Sequence, residues 1–165
     1  MIKKWSISLL MFLLVFIGLL ILRKYNQNEK EIHYHAGFQV YKDGILQDFS
    51  AAKYMTISPC DSENNKQEED KQLEKAHLHD RAGDVVHVEA DGAKWKDLFI
   101  NLDYKLDSSK MNGYVNGNKT NKILESPIKS YDSVIFFIGN VNNSLLKNGV
   151  SKERIIQVEK ETKTC

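Results

Sequence analysis

The residues most able to do chemistry are five histidines, all of which fall between positions 33 and 87 of this 165-residue chain. One residue separates His33 from His35, one separates His77 from His79, and His87 follows within a β-branched run. Alternate residues of a strand share a face and lie about 7 Å apart, so each pair can direct two imidazoles towards one ion. The spacing therefore predicts that some of these histidines bind one divalent transition metal. Imidazole ligands favour zinc or copper over iron.

Two acidic residues stand beside the histidines. Asp80 directly follows His79, and Glu89 lies two residues after His87, on the same side of a predicted strand. A carboxylate in such a place either binds the ion or accepts a hydrogen bond from a ligating imidazole. The sequence leaves both roles open for both residues.

Two further explanations of the histidines remain open. Buried histidines can be structural, with hydrogen bonds to carboxylates or backbone groups; the domain would then be an envelope protein-interaction module that binds no metal. Clustered imidazoles also titrate near neutral pH, so the group could sense pH. The metal content of the purified protein distinguishes both explanations from the first.

No catalytic signature accompanies these residues, so we predict binding rather than a reaction. The sequence contains neither the zinc-hydrolase pattern H-E-x-x-H nor the phosphate-binding patterns of the P-loop and of G-x-G-x-x-G. Hydrolysis at a metal-bound water would need an open coordination position and a nearby base such as Glu89.

Hydrophobic periodicity predicts the elements that position the histidines. Residues 33–41 alternate, with Tyr34 and Phe38 on the core side and the histidines on the other. Asp43-Gly44 predicts a hairpin turn into a return strand at residues 45–49. The other predicted elements are a strand at 85–90, an amphipathic helix at 95–102, a hairpin turn at Asn116-Gly117 and a buried central strand at 134–138.

Two motifs carry a resemblance to a known family. With H-x-H-A at residues 33–36 and H-x-H-D-x-x-G-x-x-x-H-x-E at residues 77–89, the chain resembles a family of uncharacterised prokaryotic proteins that are secreted or membrane-anchored. The likeness continues in a Trp/Leu/Phe helix at 95–102 and a Val-Asn-Gly hairpin at 115–117, and it covers about residues 33–139. The resemblance implies that this chain is related to that family, for which no activity is established.

The order strand, helix, hairpin and buried strand over residues 85–138 resembles a β-grasp (ubiquitin-like) domain, in which the helix lies across one face of the sheet. We therefore expect an α+β protein. Its expected parts are an N-terminal transmembrane helix and a mixed-sheet domain with one packed helix, β-grasp-like in its second half. Such a fold indicates little about activity.

The N-terminal region predicts a transmembrane signal-anchor. Residues 5–22 carry no charge, and these 18 residues would rise about 27 Å as a helix, close to the hydrocarbon thickness of a bilayer. The run ends in Leu22-Arg23-Lys24 without a small-residue cleavage site, which favours an uncleaved anchor over a signal peptide. Lys3 and Lys4 precede it, so the positive-inside rule predicts a single-pass protein of the cell membrane, with the N-terminus cytoplasmic and the domain outside.

Composition limits the partners. The formal net charge of +1 provides no field that would attract nucleic acid. The partner we predict is the membrane, through the N-terminal helix, and the sequence does not identify a protein partner. The two cysteines, Cys60 and Cys165, form no C-x-x-C motif; in a domain outside the cell they predict one disulfide. We divide the chain into an anchor (1–25), a linker (26–31), an extracytoplasmic α+β domain (32–140) with an acidic, Asn-rich loop (59–75), and a polar C-terminal tail (141–165).

Overall fold

The computed structural model describes residues 11–18, 32–56 and 71–161. The chain divides into two units, Met1–Glu31 and Ile32–Cys165. In the first unit, residues 11–18 are helical. The second unit carries all five histidines and is a mixed α+β fold around one mixed sheet. Its strands and helices are β1 (Tyr34–Lys42), β2 (Ile45–Leu46), β3 (Val85–Val88), α1 (Trp95–Asn101), β4 (Met111–Val115), β5 (Asn118–Thr120), β6 (Ser133–Ile138) and α2 (Lys152–Glu161).

The sheet is organised around a central parallel pair, β1 and β6, in which Gly37 lies opposite Ser133. Beyond β6 the sheet continues antiparallel through β4 and β5. The other edge of β1 is shared by two antiparallel partners: β3 pairs with its first half, and β2 pairs with its last two residues. β3 thus pairs with residues 34–37 of β1, and β6 pairs with residues 37–42.

One face of the sheet forms the main core. Side chains of β1 and β3 that alternate with the histidines, such as Phe38 and Val86, are buried there against α1. Trp95 and Leu98 of this helix are completely buried. The carboxylate of Asp97 accepts a 2.9 Å hydrogen bond from the Lys94 amide and so caps the start of the helix. The alternation that predicted a core face on β1 is confirmed.

The opposite face of the sheet packs against α2. Ile155 and Val158 of this helix are buried in a cluster that includes Val85. Arg154 donates two hydrogen bonds, of 3.0 and 3.1 Å, to the Asp84 carboxylate just before β3. The residues that we described as a polar tail, 141–165, therefore include a helix that packs on the sheet. His87 follows Val85 by two residues on β3 and pairs with His35 of β1, so both histidines point to this same face.

The predicted turns and buried elements are found. Asp43 and Gly44 have φ values of 51° and 83°, and Asn116 and Gly117 have 50° and 80°, the positive pairs that type I′ hairpin turns require. Helix α1 matches the segment predicted at 95–102, and β6 is the buried central strand predicted at 134–138. The return strand is shorter than predicted and comprises only Ile45–Leu46.

The predicted transmembrane helix is wrong. In the part of the chain that the structure describes, no helix is long and apolar enough to cross a membrane. Of the predicted span, residues 11–18 are described. This finding overturns the anchor and, with it, membrane attachment through an N-terminal helix and the single-pass location in the cell membrane.

Two other expectations change. No disulfide is found among the described residues, and Cys60 and Cys165, which the predicted disulfide would join, both lie outside them. The sheet is not confined to the second half of the domain, because β1 is one of its two central strands. The β-grasp likeness that we assigned to residues 85–138 therefore stays a prediction about topology.

Most of the predicted acidic loop, up to residue 70, lies outside the described residues.

Candidate metal centre

Three neighbouring backbone segments place three histidines in a row. His35 of β1 lies opposite His87 of β3 in the antiparallel ladder. On the other edge of β3, His77 forms an isolated antiparallel bridge with the same residue, through backbone hydrogen bonds of 3.0 and 2.9 Å. Residues directly opposite in such ladders point to the same face. The row runs His35, His87, His77, with His87 in the middle.

The remaining two histidines follow by alternation. His33 precedes His35 by two residues, and His79 follows His77 by two, so both lie on the face that carries the row. His87 makes the closest ring contacts, with centroids 4.5 Å from His33 and His79, 4.6 Å from His35 and 4.9 Å from His77. The structure therefore brings all five imidazoles together around one residue.

Hydrogen bonds through Nδ1 orient the rings of His77 and His79. Nδ1 of His77 donates to the Leu73 carbonyl at 3.0 Å, and Nδ1 of His79 donates to the Asp80 carboxylate at 2.6 Å. Asp80 and Arg81 form a turn directly after His79, and both have left-handed φ values, 54° and 60°. In this turn the Asp80 carboxylate contacts the His79 ring. Each bond assigns the proton to Nδ1 and leaves the lone pair on Nε2.

The carbonyl behind His77 is itself held in place by helix α1. Asn101, the last residue of the helix, donates through its side-chain amide to the carbonyls of Gln72 at 2.9 Å, Ala76 at 2.7 Å and Leu73 at 3.4 Å. These bonds fix the short 3-10 turn Leu73–Lys75 that precedes His77. Asn101 is thus a positioning residue that the sequence analysis did not identify; its place at the end of a predicted helix was the only available signal.

The five histidines form two overlapping groups of possible ligands. The first triad comprises His77, His79 and His87, and the second triad comprises His33, His35 and His87. Within each triad one ligand atom from every ring lies within 4.8 Å of the others, a separation that one ion can span after small side-chain rotations. His87 belongs to both.

Glu89 stands beside the shared ring. One carboxylate oxygen lies 3.3 Å from Nε2 of His87, and the other lies 4.0 Å from Nε2 of His77. Contact with the His87 ring, opposed by partial burial, lowers the pKa of Glu89 to about 2, so the carboxylate is ionised at neutral pH. Of the two acidic neighbours, Asp80 orients a ring, and Glu89 is in a place from which it can face an ion.

Burial keeps the central rings neutral. It is the main cause that lowers the pKa of His35 to about 3 and that of His77 to about 4, and repulsion between neighbouring imidazoles adds to it. Burial likewise lowers the pKa of His87, although the Glu89 carboxylate opposes the shift. Neutral rings at pH 7 keep their lone pairs available, so a metal ion would not have to displace protons from three cationic rings.

No family model matches the chain, and neither a curated protein nor a solved structure matches it. The geometry of the site provides three or more neutral imidazole nitrogens, an ionised carboxylate and fixed ring orientations, which is a donor set for a borderline transition-metal ion rather than for calcium or magnesium. The resemblance to a family of uncharacterised prokaryotic proteins stays a prediction.

Proposed function

We propose that this protein binds a divalent transition-metal ion, zinc or copper(II), through the first triad. The observation that carries the proposal is that His77 and His79 each donate Nδ1–H to an oxygen acceptor, which leaves the lone pair of each ring on Nε2, within reach of an ion shared with His87. Metal-ligating histidines are oriented in this way by carboxylates and backbone carbonyls. Glu89 is placed to supply a fourth, anionic donor.

A purely structural role accounts less well for the cluster. Structural histidines in a protein interior are hydrogen-bonded through their ring nitrogens. Here the described residues provide no hydrogen-bond partner for either nitrogen of His35, which is only 1% exposed. Gathering five imidazoles and burying three of them costs desolvation energy that a bound cation would offset.

The proposal is tested by metal analysis of the full chain, purified without a histidine tag and with Cys60→Ser and Cys165→Ser, so that thiols do not bind metal. We expect stoichiometric uptake of Zn²⁺ or Cu²⁺ in equilibrium dialysis. The double variant His77→Ala with His79→Ala should lose the ion bound by the first triad, because only one of its three rings remains.

A matched control is the double variant Asn118→Ala with Lys119→Ala. Both residues are exposed on β5, at the edge of the sheet away from β3, so uptake should equal that of the parent. Absence of stoichiometric uptake by the parent would overturn the proposal, and so would uptake that is the same in the histidine variant and the control. Circular dichroism of each variant confirms that the fold is retained.

A further inference from the structure

The directions of the hydrogen bonds between the histidines indicate a second nitrogen lone pair that could bind a cation, on Nε2 of His87. Asp80 accepts from Nδ1 of His79, so in the neutral ring Nε2 is an acceptor, and it meets Nδ1 of His87. Nδ1 of His87 is then the donor of that contact, and its Nε2 carries a lone pair. This nitrogen is buried, and among the described residues it has no hydrogen-bond partner.

Polar atoms around His87 Nε2 also lack partners. A Glu89 carboxylate oxygen lies 3.3 Å from this nitrogen. His35, whose ring centroid is 4.6 Å from that of His87, has two buried ring nitrogens without a partner in the described part of the chain. Buried ring nitrogens without hydrogen-bond partners are unfavourable, and a cation bound between these rings would satisfy them.

We propose that the cluster holds two metal ions and that the His87 imidazole bridges them, with Nδ1 bound to the ion of the first triad and Nε2 bound to an ion held with His33 and His35. This inference rests on the proposed function, because it assumes that the first triad binds metal. One Glu89 carboxylate oxygen, 3.3 Å from Nε2 of His87, is placed to bind the second ion, and the other, 4.0 Å from Nε2 of His77, is placed to bind the first. Four buried side-chain nitrogens lack a partner among the described residues: two in His35 and one in His87, which are rings of the second triad, and Nε1 of Trp95.

The proton balance follows from the ring chemistry. A neutral imidazole carries one N–H and one lone pair, so it can bind only one ion without losing a proton. When the first ion occupies Nδ1 of His87, the ring proton is displaced to Nε2; when the second ion binds Nε2, that proton leaves for solvent. Binding of the second ion therefore releases one proton from His87, and its affinity rises with pH.

The stoichiometry of the full chain tests the proposal. In the Cys60→Ser, Cys165→Ser background, titration with Cu²⁺ or Zn²⁺ should reach two ions per chain. His35→Leu should bind one, because it removes a second-triad ligand and leaves the first triad complete. His77→Ala with His79→Ala should also bind one, at the second triad. The Asn118→Ala, Lys119→Ala control should bind two.

Electron paramagnetic resonance tests the bridge itself. Two Cu²⁺ ions that share one imidazolate are magnetically coupled, so the integrated signal of the loaded parent should fall below its copper content. In His35→Leu, which holds a single Cu²⁺, the signal should account for all the copper.

The outcomes separate this inference from the proposed function. A parent that binds no metal ends both. One ion per chain, unchanged by His35→Leu, overturns the second site and leaves the first triad supported. Two ions in both the parent and His35→Leu overturn the assignment of the second site, and two ions with a full copper signal overturn the shared ring. His33→Gln, on an exposed residue of the second triad, gives a second variant that does not disturb the core.

Discussion

The two histidine triads share His87 and differ in what lies behind their other rings. In the first triad, His77 and His79 are each tied at Nδ1, to a backbone carbonyl and to a carboxylate. In the second triad His35 is buried without a hydrogen-bond partner among the described residues, and His33 is exposed. The first triad is thus preorganised before an ion arrives, whereas the second gains its polar partners only when a cation binds. Affinity should differ accordingly, with the first triad filled first.

The largest effect should come from the ring that both triads need. His87→Ala leaves two histidines in each group, so we expect stoichiometric Zn²⁺ or Cu²⁺ uptake to disappear at both. The β-ladder is formed by backbone hydrogen bonds and should persist, which far-ultraviolet circular dichroism can check. Retention of one tightly bound ion in equilibrium dialysis of this variant would show that one triad works without the shared ring.

The metal-free protein should lose stability in acid. His35 and His77 have folded-state pKa values of about 3 and 4, below the unfolded value of 6.5, so below pH 6.5 the unfolded chain takes up protons that the folded chain does not. Between pH 6.5 and 5 each should cost about 2 kcal/mol of unfolding free energy. Urea unfolding with a chelator present measures this loss.

The same experiment separates the two triads. His35→Leu and His77→Leu should each remove part of the pH dependence, because each variant removes one of the three rings whose pKa burial lowers. The lowered pKa of Glu89 adds a further loss only below its unfolded value of 4.5. A free energy of unfolding that stays constant from pH 7 to pH 5 in the parent would contradict the burial of neutral rings.

Asp80→Asn should weaken only the first triad. The amide still accepts the hydrogen bond from His79 but carries no charge, so the ring becomes less basic and less firmly oriented. Loss of such an outer partner typically lowers metal affinity about 10- to 100-fold. Competition with a chromophoric chelator measures the change. Asp103→Asn is the control, because Asp103 is also exposed with a left-handed φ, 47°, and Asn tolerates that conformation.

The smallest effects concern stability without metal, and they should have opposite signs in the two triads. His35→Leu removes a buried polar ring that has no partner, so we expect the metal-free protein to gain about 1–2 kcal/mol. His77→Leu removes the hydrogen bond to the Leu73 carbonyl and should cost about 1 kcal/mol. Equal effects in chelator-containing unfolding experiments would remove the difference between the triads.

Local sequence rules found the elements and missed their extent. Asp43-Gly44 and Asn116-Gly117 need positive φ at both turn positions, and few other residue pairs supply it, so these turns could be predicted. Helix α1 followed from the spacing of its apolar residues. The prediction failed at the N-terminus, where hydropathy alone indicated a membrane span, and it did not anticipate that α2 packs on the sheet through Ile155 and Val158.

Two properties place the histidines: the alternation of side chains along each strand, and the pairing of strands with one another. The period of two in a strand is a local property, and it alone places His33 with His35, His77 with His79, and His87 with Glu89 on common faces. Which strand lies between the others, and in which register, depends on pairing between residues that are distant in the chain; a slip of one residue would turn a whole set of rings to the other face. Only the tertiary structure placed His87 between His35 and His77, and only it set Asn101 of α1 behind the carbonyl that orients His77.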